Sequence, residues 1–157
     1  HGLGIAVGMA LGLKRKKNPA FVYNLMSDGE LGEGSTWEAV MSATQWKLDN
    51  LICIVDFNTQ QADGPTRDVL AQGAEAPKWA AFGWHAVEVD GNDLDALVAA
   101  FDTARNLADP KPCVIICNTK MCIGVDFLER RDSNHFVRVD ADEWYKALDV
   151  LEEGKPQ

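Results

Sequence analysis

The sequence predicts a doubly wound α/β domain, a mostly parallel sheet with helices on both faces. Three observations carry this. Runs over 20–26, 51–55, 84–89 and 112–118 are apolar at nearly every position, as strands are when both faces of a sheet are covered. Segments of helical period separate these runs, the βαβ alternation of a parallel sheet. The chain has 157 residues, 46% hydrophobic and 25% charged, which is ample for one hydrophobic core without disulfide staples.

In chain order, 3–16 reads as a helix with Gly4, Gly8 and Gly12 along one narrow side, a spacing that allows close backbone approach. Asn18-Pro19 marks a turn before the strand over 20–26. Residues 27–34 read as a glycine-rich turn, with Ser35 as N-cap and Glu38 three positions on, so a helix is expected over 36–48. The strand over 51–55 closes at Asp56-Phe57-Asn58, and a polar loop reaches Gly64-Pro65. A short helix over 77–82, the strand over 84–89, a helix over 93–108 capped by Asn92 or Asp93, and the strand over 112–118 follow. The segment 120–139 is charged and patternless, and 142–151 is a terminal helix.

A formal charge of −9 repels nucleic acid and anionic lipid, and the one tight basic cluster, Lys14 to Lys17, reads as a solvated helix end. No apolar run reaches the length of a membrane span and no signal segment is present, so no nucleic-acid or membrane partner and a cytoplasmic location are expected. The cysteines at 53, 113, 117 and 122 lack zinc-site spacing and read as reduced packing residues. The chain opens at His1 without Met and enters a helical pattern at once. The reading is therefore a single domain over 1–157, truncated at its N-terminus.

In an open parallel sheet, ligands bind where the strands end, so the loops at 27–34, 56–64 and 118–135 should share one rim. Asp28 ends one strand and Asn58 lies beyond the next, thirty positions later. A carboxylate and an amide oxygen at adjacent strand ends suit Mg²⁺, which takes hard oxygen ligands near ~2.1 Å and completes its shell with water and phosphate oxygens. Glycines at 29, 32 and 34 let the backbone approach a diphosphate, which the following helix N-terminus also favours. The metal then supplies the positive charge that an acidic chain lacks.

The stretch from Ser27-Asp28-Gly29 through Gly32-Glu33-Gly34-Ser35-Thr36-Trp37-Glu38-Ala39, with Leu48-Asp49-Asn50-Leu51 and Asp56-Phe57-Asn58, resembles the thiamine-diphosphate motif of transketolases. Within that family it is most similar to the bacterial N-terminal subunits that carry only the diphosphate-binding (PP) domain. Weaker matches run through His1-Gly2-Leu3-Gly4, Asp63-Gly64, Thr66-Arg67-Asp68, Phe82-Gly83-Trp84, Asp90-Gly91 and His135, so the resemblance covers essentially the whole chain.

The resemblance implies the thiamine-diphosphate-binding fold, with thiamine diphosphate and Mg²⁺ as cofactors and Ca²⁺ or Mn²⁺ as possible substitutes. Asp28 and Asn58 would ligate the metal through their side chains, and Gln60 through its backbone carbonyl. Gly29 would lie against the diphosphate. Glu33 matches an interface glutamate that couples paired active sites, and His135 a histidine that contacts diphosphate and substrate. The implied reaction moves a two-carbon ketol unit from a ketose phosphate to an aldose phosphate. It requires a C-terminal, pyrimidine-binding transketolase subunit, in a heterotetramer. The sequence departs from the family at Ser27 and Cys122, where glycines are usual, and at Asn134, where tryptophan is.

Plainer readings stand beside these. Asp28 alone could be a turn aspartate, Glu33 a carboxylate at a helix entry, and His135 a solvated loop residue. Deoxyxylulose-phosphate synthases and 2-oxo-acid dehydrogenases share the metal motif but fit the 48–51 context and His135 less well. A non-catalytic cofactor-binding fragment is a further alternative. A dinucleotide-binding reading of Gly2-Leu3-Gly4 through Gly8 needs a preceding strand and gives Asn58 no role.

Overall fold

The computed structural model describes residues 1–73, 75–131, 134–136 and 138–154. The parts of the expected elements at 132–133, 137 and 155–157 lie outside the described residues. Four parallel strands, β1 (Val22–Ser27), β2 (Leu51–Phe57), β5 (His85–Asp90) and β6 (Cys113–Asn118), form one sheet in the order β1-β2-β6-β5. Helix α1 (Gly2–Arg15) precedes β1, α2 (Gly34–Gln45) links β1 to β2, and α5 (Leu94–Arg105) links β5 to β6.

The sheet separates two cores. On one face α1, α2 and α4 (Glu75–Ala81) enclose Leu3, Ala10, Val40, Leu51, Val55, Trp79 and Trp84. On the other, α5 covers Ile52, Cys113, Ile115 and Cys117. This two-sided burial is the doubly wound arrangement that the apolar runs predict, and β6 is buried at every position but its last. Burial pushes the Cys53 and Cys113 thiols up to about 12 and raises that of Cys117. These three behave as packing groups, and no disulfide links them.

The winding across the sheet reverses, since β1 to β2 steps one way and β5 to β6 steps back. Such a reversal opens a crevice at the carboxyl ends of the strands. The register fixes which residues reach it: Ser27 pairs with Asp56, and Phe57 with Asn118. All three expected loops therefore leave from the same edge.

Several local expectations are corrected. Residues 28–32 form a 3-10 turn, Asp28–Gly32, and the carboxylate of Glu30 accepts from the Ser27 N–H at 3.1 Å. Helix α2 then starts at Gly34 with Glu33 as N-cap, so Ser35 is inside the helix. The Ser35–Glu38 pattern misplaces the cap, because the 3-10 turn uses a Ser-x-x-Glu spacing of its own. Ser27 itself is extended, with φ −88°, a backbone any residue adopts, so the serine is unstrained. The polar loop holds a hairpin, β3 (Gln60–Gln61) with β4 (Gly64–Pro65), followed by the one-turn helix α3 (Thr66–Val69). The segment 120–139 contains another short helix, α6 (Asp126–Glu129), and α7 is Ala141–Glu153, capped by Asp140. Cys122 has φ +57°, the backbone region where glycine is at ease.

Candidate functional site

The site is built from the 3-10 turn after β1 and the bend after β2. Asp28 is 1% exposed. Its Oδ2 accepts from the Thr66 hydroxyl at 2.8 Å, and its backbone carbonyl accepts from Gln72 Nε2 at 2.7 Å. Among the described residues no hydrogen bond reaches its other oxygen, Oδ1.

Thr59 bends the chain with φ +62°. A β-branched residue in that region is strained by on the order of 1–3 kcal/mol, a cost that proteins keep at functional sites. The bend brings the Gln60 N–H to Asn58 Oδ1 at 2.9 Å, an Asx turn that leaves a second lone pair on the amide oxygen. The Thr66 N–H donates to the Thr59 carbonyl at 2.9 Å. In the Gln60–Pro65 register that bond makes 60 and 65 a non-hydrogen-bonded pair, so the hairpin does not use the Gln60 carbonyl.

Thr66 therefore joins the two halves of the site, with its hydroxyl on Asp28 and its N–H on the bend that presents Asn58 and Gln60. The segment that follows β6 arrives through Asn134, whose N–H donates to Gln60 Oε1 at 3.1 Å. A cavity of about 220 Å³ lies among Asn58, Gln60, Thr119, Lys120 and Asn134. A second, of about 450 Å³, adjoins it through Thr59, Thr119 and Lys120.

Among the described residues no three carboxylate, imidazole or thiol side chains could together hold a metal ion. Any cation here must take amide and backbone oxygens. The residues present fit one: a carboxylate oxygen without a partner, an amide oxygen with a spare lone pair and an unused carbonyl form a hard-oxygen set. They also fit an anion beside it. Gln61 Nε2 is buried without an acceptor, and Gln61 lies next to Gly29, where an added Cβ would sit 3.8 Å from its side chain.

Not every expected residue joins this network. Glu33 is exposed at the entry of α2, and among the described residues its carboxylate meets only the Ser35 hydroxyl, at 3.5 Å. His135 is exposed and packs edge-on against Phe136, with ring centroids 5.0 Å apart; it adjoins the network through its neighbour Asn134. Thr66, Gln72, Gln61 and Asn134 were not expected as site residues. Thr66 and Gln72 contact Asp28 across 38 and 44 positions, a separation with no local sequence signal.

Residues 12–150 match the transketolase family, in the domain described as "Transketolase, thiamine diphosphate binding domain". The chain belongs to the transketolase family. It is 60% identical over 98% of its length to a transketolase family protein of Sinorhizobium fredii, covering 55% of that protein. Against an apulose-4-phosphate transketolase subunit of Actinobacillus succinogenes it is 41% identical over 98% of its length, and it covers 55% of that relative. The crystal structure of transketolase from Campylobacter jejuni superimposes with a TM-score of 0.86 at 27% identity, over 96% of this chain and 24% of that one. The chain thus spans about half the length of the curated subunits it matches. These transketolase relationships establish the thiamine-diphosphate-binding α/β fold that the family resemblance implied. No helix among the described residues is long and apolar enough to cross a membrane.

Proposed function

We propose that this chain is the diphosphate- and Mg²⁺-binding half of a transketolase that transfers a two-carbon ketol unit from a ketose phosphate to an aldose phosphate. The carrying observation is that Thr66 bonds both the Asp28 carboxylate and the bend of Asn58 and Gln60. Three oxygen donors from two strand ends are thereby held at one rim. Relatives with near-complete coverage of this chain are named as transketolase subunits, for apulose-4-phosphate and for 6-deoxy-6-sulfo-D-fructose. That supports the reading of a separate partner subunit; its role would be to supply the pyrimidine-binding domain, in a heterotetramer.

Asp28 and Asn58 would hold Mg²⁺ through their side chains and Gln60 through its carbonyl. Gly29 would admit the diphosphate, and Gln61 Nε2 would donate to it. Thiamine diphosphate, when bound, supplies the electron sink for carbon–carbon bond cleavage. Asp28 and Thr66, buried and bonded to each other, and the half-buried bend of Asn58 and Gln60 would anchor the anionic end of the cofactor. Glu33 contributes at the subunit interface. His135 contacts diphosphate and substrate as a hydrogen-bond donor and proton carrier.

Native mass spectrometry of the purified assembly tests this. The expected result is thiamine diphosphate and one divalent ion per copy of this chain, with a second, co-purifying subunit. The same assembly should carry out ketol transfer on a panel of ketose and aldose phosphates. An assembly that retains no thiamine diphosphate in the presence of Mg²⁺ overturns the proposal. Cofactor retention without any ketol transfer restricts the chain to a binding role.

A further inference from the structure

Asp28 is fixed at two points by a segment that the cofactor motif does not include. The Thr66 hydroxyl holds Oδ2 at 2.8 Å, and Gln72 Nε2 holds the main-chain carbonyl at 2.7 Å. Leu70, between them, lies over the 3-10 turn, where a Cβ on Gly32 would come within 3.2 Å of its side chain. The segment is itself tied down, because the Lys78 ammonium bonds the Gln72 carbonyl and the Glu75 carboxylate. Thr66 is buried, and Gln72 and Lys78 are half-buried, so these bonds are shielded from water. A turn aspartate that served only its own loop would accept from nearby backbone N–H groups. The side chain of Asp28 instead receives a hydroxyl from 38 positions away.

We infer that Thr66 and Gln72 are positioning residues that confine Asp28 to one free oxygen, and that Thr66 thereby sets which divalent cation the site prefers. The inference rests on the metal-binding reading above. An octahedral cation such as Mg²⁺ takes one oxygen from a carboxylate, whereas Ca²⁺ accepts six to eight ligands and readily takes both. The Thr66 hydroxyl draws on the charge of Oδ2 and fixes the tilt of the carboxylate, so Oδ1 is the stronger ligand and bidentate binding is disfavoured. Freeing Oδ2 gives a larger cation a bidentate ligand and gives Mg²⁺ nothing.

The test is the affinity of the assembled protein for thiamine diphosphate, titrated by calorimetry with Mg²⁺ alone and with Ca²⁺ alone, for the wild type, Thr66→Val and Thr66→Ser. In Thr66→Val the affinity with Mg²⁺ should fall about tenfold, as when a hydrogen bond to a charged group is removed. The affinity with Ca²⁺ should fall less, so that the Ca²⁺:Mg²⁺ ratio rises at least about threefold. Thr66→Ser, which keeps the hydroxyl, should retain the wild-type ratio, and Gln72→Leu should weaken binding with both ions alike. Equal losses with both ions in Thr66→Val, or an unchanged affinity, overturn the inference and leave the metal assignment standing. If binding by the wild type is indifferent to divalent ions, the metal assignment and the inference fall together. Should Thr66→Val not fold, Thr66→Ala and Thr66→Cys repeat the comparison, and an unchanged ion ratio in both overturns the inference.

Discussion

The inner and outer parts of the site differ in how the chain holds them. Asp28, Asn58 and Gln60 are buried or half-buried, and each has a hydrogen-bond partner from a segment distant in sequence or from its own tight turn. Glu33 and His135 are exposed, and neither side chain bonds the inner group among the described residues. The inner part is preorganised by this chain alone, as a cation and a diphosphate require. The outer residues lie at the surface, where a second subunit or a substrate can reach them. Binding and turnover should therefore respond to different substitutions.

Asp28→Ala has the largest expected effect. It removes the one anionic donor and leaves the buried Thr66 hydroxyl without its partner. Affinity for thiamine diphosphate with Mg²⁺ should fall at least about a hundredfold, the scale on which losing one member of a buried charged pair is felt. Equilibrium dialysis of the assembled protein measures it, and near-wild-type binding would remove the inner site as the cofactor anchor.

Substitutions in the outer part come next. His135→Ala should lower ketol-transfer turnover about a hundredfold, in line with the loss of a proton-transfer group, and weaken cofactor binding only about tenfold, the scale of one lost hydrogen bond to the diphosphate, because among the described residues no contact joins its side chain to the inner network. Glu33→Gln should behave alike, with a smaller loss of turnover. If either substitution instead releases the cofactor, the two parts are one structural unit and the contrast drawn from burial is wrong.

Asn58→Ala should weaken cofactor binding only about tenfold. A water can take the place of a neutral amide oxygen, and the Gln60 carbonyl remains. The Asp28 and Asn58 variants together sharpen the contrast within the inner part, since charge separates them.

The same contrast shows how much the sequence could reveal. The two motif residues were legible because each sits where an apolar strand ends, and the parallel register places Ser27 beside Asp56, which brings Asp28 and Asn58 to one rim. The central strands were legible for the same reason, since burial on both faces forces apolar residues throughout. The hairpin over 60–65 and helices α3 and α6 were not. Each is built from elements of four residues or fewer, too short for any periodicity to register. The N-cap of α2 was misplaced because two Ser-x-x-Glu patterns, at 27–30 and 35–38, compete within one turn-rich stretch. Gln72 carries no signal, and Thr66 only a weak family match that gives it no role: a threonine hydroxyl becomes a site residue only once the hairpin has folded back over the 3-10 turn.

The smallest predicted effect concerns the support beneath the inner part. Glu75 is 3% exposed, and burial raises its carboxyl above the ordinary carboxylate range, against the opposing pull of the Lys78 ammonium 2.7 Å away. A raised folded-state pKa means that the folded chain binds the proton more tightly than the unfolded one. Its contribution to stability is present at pH below the unfolded value and is lost as the pH climbs through the raised folded value. Glu75→Gln keeps the shape and an acceptor for Lys78 without the buried charge. The melting temperature of the variant relative to the wild type should therefore rise as the pH climbs from the ordinary glutamate value, about pH 4, through the raised folded-state value, and level off beyond it. A difference that moves the other way with pH would mean that the attraction of Lys78 outweighs the cost of burying the carboxylate. The segment clamping Asp28 would then be held by charge, and raising the salt concentration should loosen the inner site while leaving the outer one unchanged.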